Sequence, residues 1–133
     1  MHLLIIHSDQ QITQSLVATL DQHGYQVQTS HFGDHAIALT QEYDIDLIIL
    51  GVHLPDGYGF RILHRLNLNR NAVPVIIISS EDDLDTKVRA LEFGADDYMT
   101  IPFEIEELEA RIRAIARRSV NQDRLQHVVG HLR

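Results

Sequence analysis

Three short apolar runs constrain this chain more than any other feature. They are "LLIIH" from residue 3, "DLIIL" from residue 46 and "VPVIIIS" from residue 73. Each has at its centre consecutive Leu, Ile or Val with no polar residue between them. A strand with one wet face alternates apolar and polar residues; a strand covered on both faces does not need to. The runs are also too short for free-standing helices, and β-branched residues dominate the third. Three strands of this kind require layers on both sides of a sheet, and the intervening sequence supplies them.

Between the runs the apolar spacing changes from continuous to helical. Ile12, Leu16, Val17 and Leu20 mark a first helix, stopped by His23-Gly24. "YQVQT" alternates as an edge strand does. A second helix holds Ala36, Ile37 and Leu39, with Asp34 as its expected cap. Phe60, Leu63 and Leu66 mark a third helix, and Leu84, Val88 and Leu91 a fourth, ending at Gly94. "DYMT" is a short fifth strand. Ile105, Leu108, Ile112 and Ile115 mark a fifth helix that runs into Arg117 and Arg118. Strand and helix alternate five times, which predicts a parallel sheet covered on both faces. In such a sheet the working site lies beyond the carboxyl ends of the strands. That edge comprises His7-Ser8-Asp9, residues 51–56, Ser79-Ser80 and Ile101-Pro102.

Composition narrows the function. The 133 residues are 44% hydrophobic, enough for one domain with a real core. No apolar run approaches the roughly 20 residues of a membrane span. The opening "MHLLIIHSD" has too short an apolar run, and no basic segment, for a signal peptide. Cysteine is absent, which excludes disulfides and thiolate chemistry. The expected location is cytoplasmic. A net charge of -8 argues against phosphate-backbone binding by this segment itself. No Gly-rich phosphate fingerprint follows the first strand, where "HSDQQ" stands, so a nucleotide-binding enzyme is disfavoured.

Several stretches, in order and spacing, resemble the receiver domain of bacterial response regulators: "LLIIHSDQQI", "HLPDGYGF" and "VPVIIISS". "GADDYMTIPFEIEELEARIRAIARR" resembles the OmpR/PhoB subfamily in particular. The resemblance covers residues 1–118. It implies a flavodoxin-like (CheY-like) five-stranded parallel sheet flanked by five helices, with strand order 2-1-3-4-5. It also implies phosphoryl transfer from a histidine kinase to an aspartate at the carboxyl edge, and there this chain departs. The family's two acidic magnesium-binding positions are His7 and Ser8, its phosphoacceptor position is Gly51, and its lysine position is Ile101. Only Ser79, at the hydroxyl position, fits. Magnesium wants a hard, oxygen-rich shell, and without a carboxylate at 51 there is no nucleophile for an acyl phosphate. A lysine at 101 would have lost its acidic partners, so Ile101 costs less than an unpaired buried charge. The only lysine, Lys87, lies on the fourth helix. The expectation is a degenerate phosphorylation pocket of His7, Ser8, Gly51, Ser79 and Ile101, with no catalytic residue, cofactor or metal.

The remaining features each have a plain reading. Asp9 is expected to cap the first helix and Asp56 to shape the loop. His7 and His53 lie near one edge, but a zinc site needs three or four ligands. Tyr98 stands at the family's switch position. Either it packs with its hydroxyl at the surface, or its ring is locked inward as in the signalling state. Lys87, Asp97, Glu107 and Arg111 form either a solvated face with intrachain pairs such as Glu107–Arg111 or, as the resemblance implies, a dimer interface. In the latter Lys87 meets Glu107 and Asp97 meets Arg111 across a two-fold axis, with Leu91 and Leu108 as the apolar contact. Glu109 replaces the subfamily's usual apolar residue and is expected to weaken that dimer. Residues 119–133 read as a polar linker, then "VVGHLR" as the opening strand of a winged-helix DNA-binding domain lying outside this chain. The expected function is a phosphorylation-independent regulatory and dimerisation domain of an OmpR/PhoB-type transcription regulator. The alternative is a stand-alone interaction module controlled by a partner or ligand.

Overall fold

The structure is a computed structural model that describes residues 1–68 and 73–131. Five strands form one parallel sheet: β1 (His2–Ile6), β2 (Gln26–Ser30), β3 (Leu47–Gly51), β6 (Val75–Ser79) and β7 (Asp97–Thr100). Their spatial order is β2-β1-β3-β6-β7. Five helices occur among the described residues: α1 (Gln10–Gln22), α2 (Gly33–Glu42), α3 (Gly59–Leu68), α4 (Leu84–Glu92) and α5 (Ile105–His131). The two-residue strands β4 (His53–Leu54) and β5 (Gly57–Tyr58) pair as a separate antiparallel hairpin. With that hairpin set apart, the order is the expected 2-1-3-4-5.

The apolar runs are explained by alternation through the sheet. Leu3, Ile5, Leu47, Ile49, Ile76 and Ile78 point into one layer, with Leu16 and Leu20 of α1 and Leu108, Ile112 and Ile115 of α5. Leu4, Ile6, Ile48, Leu50, Val75 and Ile77 point into the other, with side chains from α2, α3 and α4. Every residue of these strands from Leu3 onward is buried. A polar substitution in any of the three runs therefore enters a core, whichever face it takes.

Four local expectations are corrected. Leu84, Val88 and Leu91 mark α4 correctly, but they are 76%, 41% and 54% exposed, and Ala90 is the helix's buried residue. The repeat lies on the outer face because a short helix beside an edge strand can reach the sheet with a small residue. The N-cap of α2 is Phe32, which has no side-chain oxygen; Asp34 lies in the first turn and pairs with Arg65 of α3 at 2.6 Å. The loop after β3 contains the hairpin. Finally, α5 continues through residues 119–131, where a linker and then a strand were expected. No proline or glycine interrupts the ladder between Pro102 and Gly130, so nothing local stops it. Leu132 and Arg133 lie outside the described residues.

Candidate functional site

Parallel pairing brings the exits of β1, β3, β6 and β7 to one edge, as the register Ile6↔Leu50, Gly51↔Ile78 and Ser79↔Thr100 requires. His7 follows β1, Gly51 closes β3, Ser79 closes β6 and Ile101 follows β7. The five positions singled out from sequence thus stand along one edge, with Ser8 exposed at its rim.

His7 occupies the space next to Gly51. A Cβ built on Gly51 would stand 2.7 Å from His7 Cδ2, 3.2 Å from Cγ and 3.3 Å from Nε2. The first distance is below any real carbon–carbon contact, so no side chain at residue 51 coexists with this ring position. The ring is tied in place, because its Nδ1 accepts the Asp9 N–H at 2.9 Å. Nδ1 is therefore unprotonated, and the neutral ring carries its proton on Nε2. Burial lowers the His7 pKa below the usual imidazole value; nearby His31 adds to this and Asp9 opposes it. The ring thus stays neutral further into the acid range than a free histidine.

Asp9 also accepts from the Gln11 and Ile12 N–H groups, so it caps α1 as expected. Asp56 does more than shape its loop. Its Oδ1 accepts the Gly33 N–H at 3.0 Å and its Oδ2 the Asp34 N–H at 3.2 Å. It caps α2 from across the fold, filling the role that Phe32 cannot. The bond from Gly33 is the main reason its carboxyl pKa is lowered. The hairpin that carries Asp56 returns tightly on β3. Gly59 N–H donates to the Val52 carbonyl at 2.5 Å, and a Cβ on Gly59 would stand 2.3 Å from the Gly51 carbonyl oxygen. Both glycines are thus fixed by close approach, of a ring in one case and of backbone in the other.

Ile101 packs partly buried against the α1–α5 layer. It also lines a groove of about 340 Å³ with Ile12, Leu16, Pro102 and Phe103. An apolar side chain at 101 is at home there. Among the described residues, no group of three or more His, Cys, Asp or Glu side chains is placed to hold a metal ion.

Tyr98 is half-buried against the α2–α3–α4 layer, and its hydroxyl donates to the Glu81 carbonyl at 2.6 Å. The hydroxyl is thus engaged by backbone, whichever of the two ring readings holds. Burial raises the phenol pKa, and the Ser79 hydroxyl beside it works the other way. Ser79 is buried, and its Oγ accepts the Glu81 N–H at 3.0 Å. Glu81 was not singled out from sequence. It follows β6 in a run of acids, and nothing local distinguishes it from Asp82 or Asp83.

On the α4–β7–α5 face, the charges pair within the chain. Arg111 Nη1 contacts both Asp97 oxygens, at 2.8 and 2.9 Å, and its Nη2 reaches Glu107 at 2.9 Å. Those two carboxylates raise the Arg111 pKa further, the hydrogen bond that Arg111 donates to Asp97 contributing most. Lys87 pairs with Asp82 at 2.5 Å rather than with Glu107. Leu91 is exposed, but Leu108 is 0% exposed. It belongs to the sheet-facing stripe with Ile112 and Ile115, so it cannot be a surface contact. Glu109 is also buried, against His23, the C-cap of α1, at 2.5 Å. It therefore faces α1 rather than the proposed dimer face.

Comparison with known proteins agrees with this architecture. The family model described as response regulator receiver domain matches residues 3–113. The cell cycle response regulator CtrA of Brucella ovis is 44% identical over 119 residues, covering 90% of this chain and 51% of that protein. CtrA of Brucella suis biovar 1 matches equally. The chain spans about half the length of the curated relatives it matches. Among solved structures, a two-component response regulator from Clostridium difficile is 29% identical with a TM-score of 0.84, over 89% of this chain and 97% of that one. The BeF3-activated receiver domain of Klebsiella pneumoniae RstA is 25% identical with a TM-score of 0.84, over 88% and 99%.

Proposed function

This chain belongs to the response regulator receiver domain family, and we propose that it is a member that works without phosphorylation. One observation carries the reading: His7 fills the space that any side chain at residue 51 would need. A carboxylate side chain at residue 51 would require that ring to shift, and the positions that would hold magnesium and the lysine are His7, Ser8 and Ile101. The reading assigns the domain no catalytic activity of its own and no cofactor. Tyr98, its hydroxyl hydrogen-bonded to the Glu81 carbonyl, supports a switch held in one position.

The same reading makes the domain a dimerising, regulatory part of an OmpR/PhoB-type transcription regulator acting in the cytoplasm. Residues 1–118 form the receiver, and residues 119–133 lead toward a DNA-binding domain outside this chain. The exposed stripe Leu84, Val88 and Leu91 supports the dimer, since an apolar row on one helix face favours burial. The pairs of Arg111 with Asp97 and Glu107 would then exchange for equivalent pairs between copies, at small net cost because exposed pairs are weak. A second reading rests on those same pairs. They satisfy the face inside one chain, which favours a monomeric module that binds a different partner.

Two measurements test the proposal. Incubation with acetyl phosphate and magnesium, read by intact mass, should leave both the native chain and Gly51→Asp unmodified. A phosphoryl adduct on either would overturn phosphorylation independence. Sedimentation velocity without phosphodonor should show a dimer that Leu91→Asp, or joint reversal of Lys87 and Arg111, dissociates. A monomer at every concentration would remove the dimer and favour the interaction module.

A further inference from the structure

The two edges of the sheet are unlike each other. At one end stands β7, whose Asp97 holds Arg111 and which Pro102 follows, so charge and proline guard it as they guard most edges. At the other end stands β2, paired with β1 on one side only. Its sequence, "QVQTS", carries neither charge nor proline. Gln26 is exposed and Val27, Gln28 and Thr29 are partly exposed, whereas every residue of β3 and β6 is buried. The ladder with β1 fixes which backbone groups are left over. The Gln26 N–H donates to the Met1 carbonyl, and the Ser30 carbonyl accepts the His7 N–H, both at 3.1 Å. Gln26, Gln28 and Ser30 therefore present their backbone groups to β1, and alternation turns those of Val27 and Thr29 outward. A groove of about 420 Å³ lies beside this edge, lined by Gln14, Val17 and Ala18 of α1 and by Val27, Thr29 and His31.

We propose that β2 pairs antiparallel with β2 of a second copy of this chain, across a two-fold axis at Gln28. Charge selects that occupant. From Gln10 to Gly33, Asp21 is the only Asp, Glu, Lys or Arg, although those residue types make up 23% of the chain. Two copies that each carry a net charge of -8 repel, and they approach at least cost where neither presents charge. A partner of opposite charge is steered instead to the acidic remainder of the surface.

The strand is also its own complement. Gln28 is the middle residue of β2. With the axis there, Val27 of one copy opposes Thr29 of the other, and their outward N–H and carbonyl groups exchange both bonds. Gln26 opposes Ser30 on the reverse face, and no charge is set against a like charge. Moving the axis to Val27 would set Thr29 against Tyr25, whose N–H the Leu20 carbonyl already holds at 3.1 Å. The axis stands normal to the sheet, so the two α1 helices come together over the groove, where Ala18 is exposed and small. Because β2 and β7 are opposite edges, this contact leaves the α4–β7–α5 face open. It is the weaker of the two, a five-residue strand pair without an exposed apolar row, and covalent trapping reads it better than sedimentation.

The axis supplies the test. Gln28 meets Gln28 as a non-hydrogen-bonded pair, with Cα atoms about 4.5 Å apart, within the range a disulfide spans. The chain has no cysteine of its own to interfere. The experiment uses the whole chain with Leu91→Asp, which takes the α4 face out of the reading, and adds Gln28→Cys in one sample and Gln26→Cys in another. In a glutathione redox buffer, non-reducing electrophoresis should show a covalent dimer from Gln28→Cys. Gln26→Cys should remain monomeric, because residue 26 opposes residue 30 and not itself. Random collision predicts the reverse, since Gln26 is the more exposed. Equal trapping at both positions overturns the pairing. No trapping at Gln28→Cys overturns it too, and leaves the edge to a strand of another protein. A dimer trapped at Gln28→Cys alone upholds this contact whatever sedimentation finds at the α4 face, so the two associations stand or fall separately.

Discussion

At the residue scale, the pair His7 and Gly51 has to be read together. Glycine at 51 is not a loss of chemistry alone; it is the only residue that fits beneath a ring tied to the Asp9 N–H. Gly51→Ala should destabilise the fold by about 2 kcal/mol, the scale of overpacking in a close-packed interior. In a His7→Ala background the same change should cost much less. Chemical denaturation of the four proteins of that cycle measures the coupling directly. Additivity within error would mean that the ring moves aside freely. The family resemblance implies that both positions depart from the family's pattern. It could not show that one departure occupies the space left by the other, because residues 7 and 51 meet only through the β1–β3 pairing.

At the element scale, caps and faces separate what local sequence specifies from what it does not. Asp9 caps α1 and was legible, because an N-cap acts two or three residues along its own chain. Asp56 caps α2 from beyond β3 and was not. Asp56→Ala should cost about 1 kcal/mol, the usual worth of an N-cap. Its carboxyl pKa is lowered in the fold from 3.8. The stabilisation is therefore full above the unfolded value and lost as pH falls through the folded one. Thermal melts of the two proteins should differ at neutral pH and converge in strong acid. The helix faces give a second contrast. Leu108→Ala should cost about 3 kcal/mol because it empties a fully buried site. Leu84→Lys should stay within about 0.5 kcal/mol because that side chain is already in water. Both leucines fit a helical repeat, and only packing against the sheet distinguishes them.

At the scale of the whole molecule, charge limits what this domain does unaided. With a net charge of -8, it lacks the excess of cations that non-specific DNA binding draws on. Titrating the chain into a labelled duplex at low salt should leave the anisotropy unchanged up to about 100 µM protein, the weak end of non-specific binding. Saturable binding below that would assign a nucleic-acid surface to the receiver itself. The proposed division of labour, regulation here and DNA contact in another segment, stands on that outcome.

The sequence alone determined the fold class. Uninterrupted apolar runs alternating with helical repeats admit few solutions, and a parallel sheet with two covered faces accounts for them all. It also placed His7, Gly51, Ser79 and Ile101 at strand ends along one edge, because strand ends are local facts. Tertiary structure alone decided how the edge is filled: His7 over Gly51, Asp56 on α2, and Glu81 joining His53, Ser79, Thr86 and Tyr98. Each of these is a contact between side chains or backbone groups brought together by strand order, and local spacing carries no record of it.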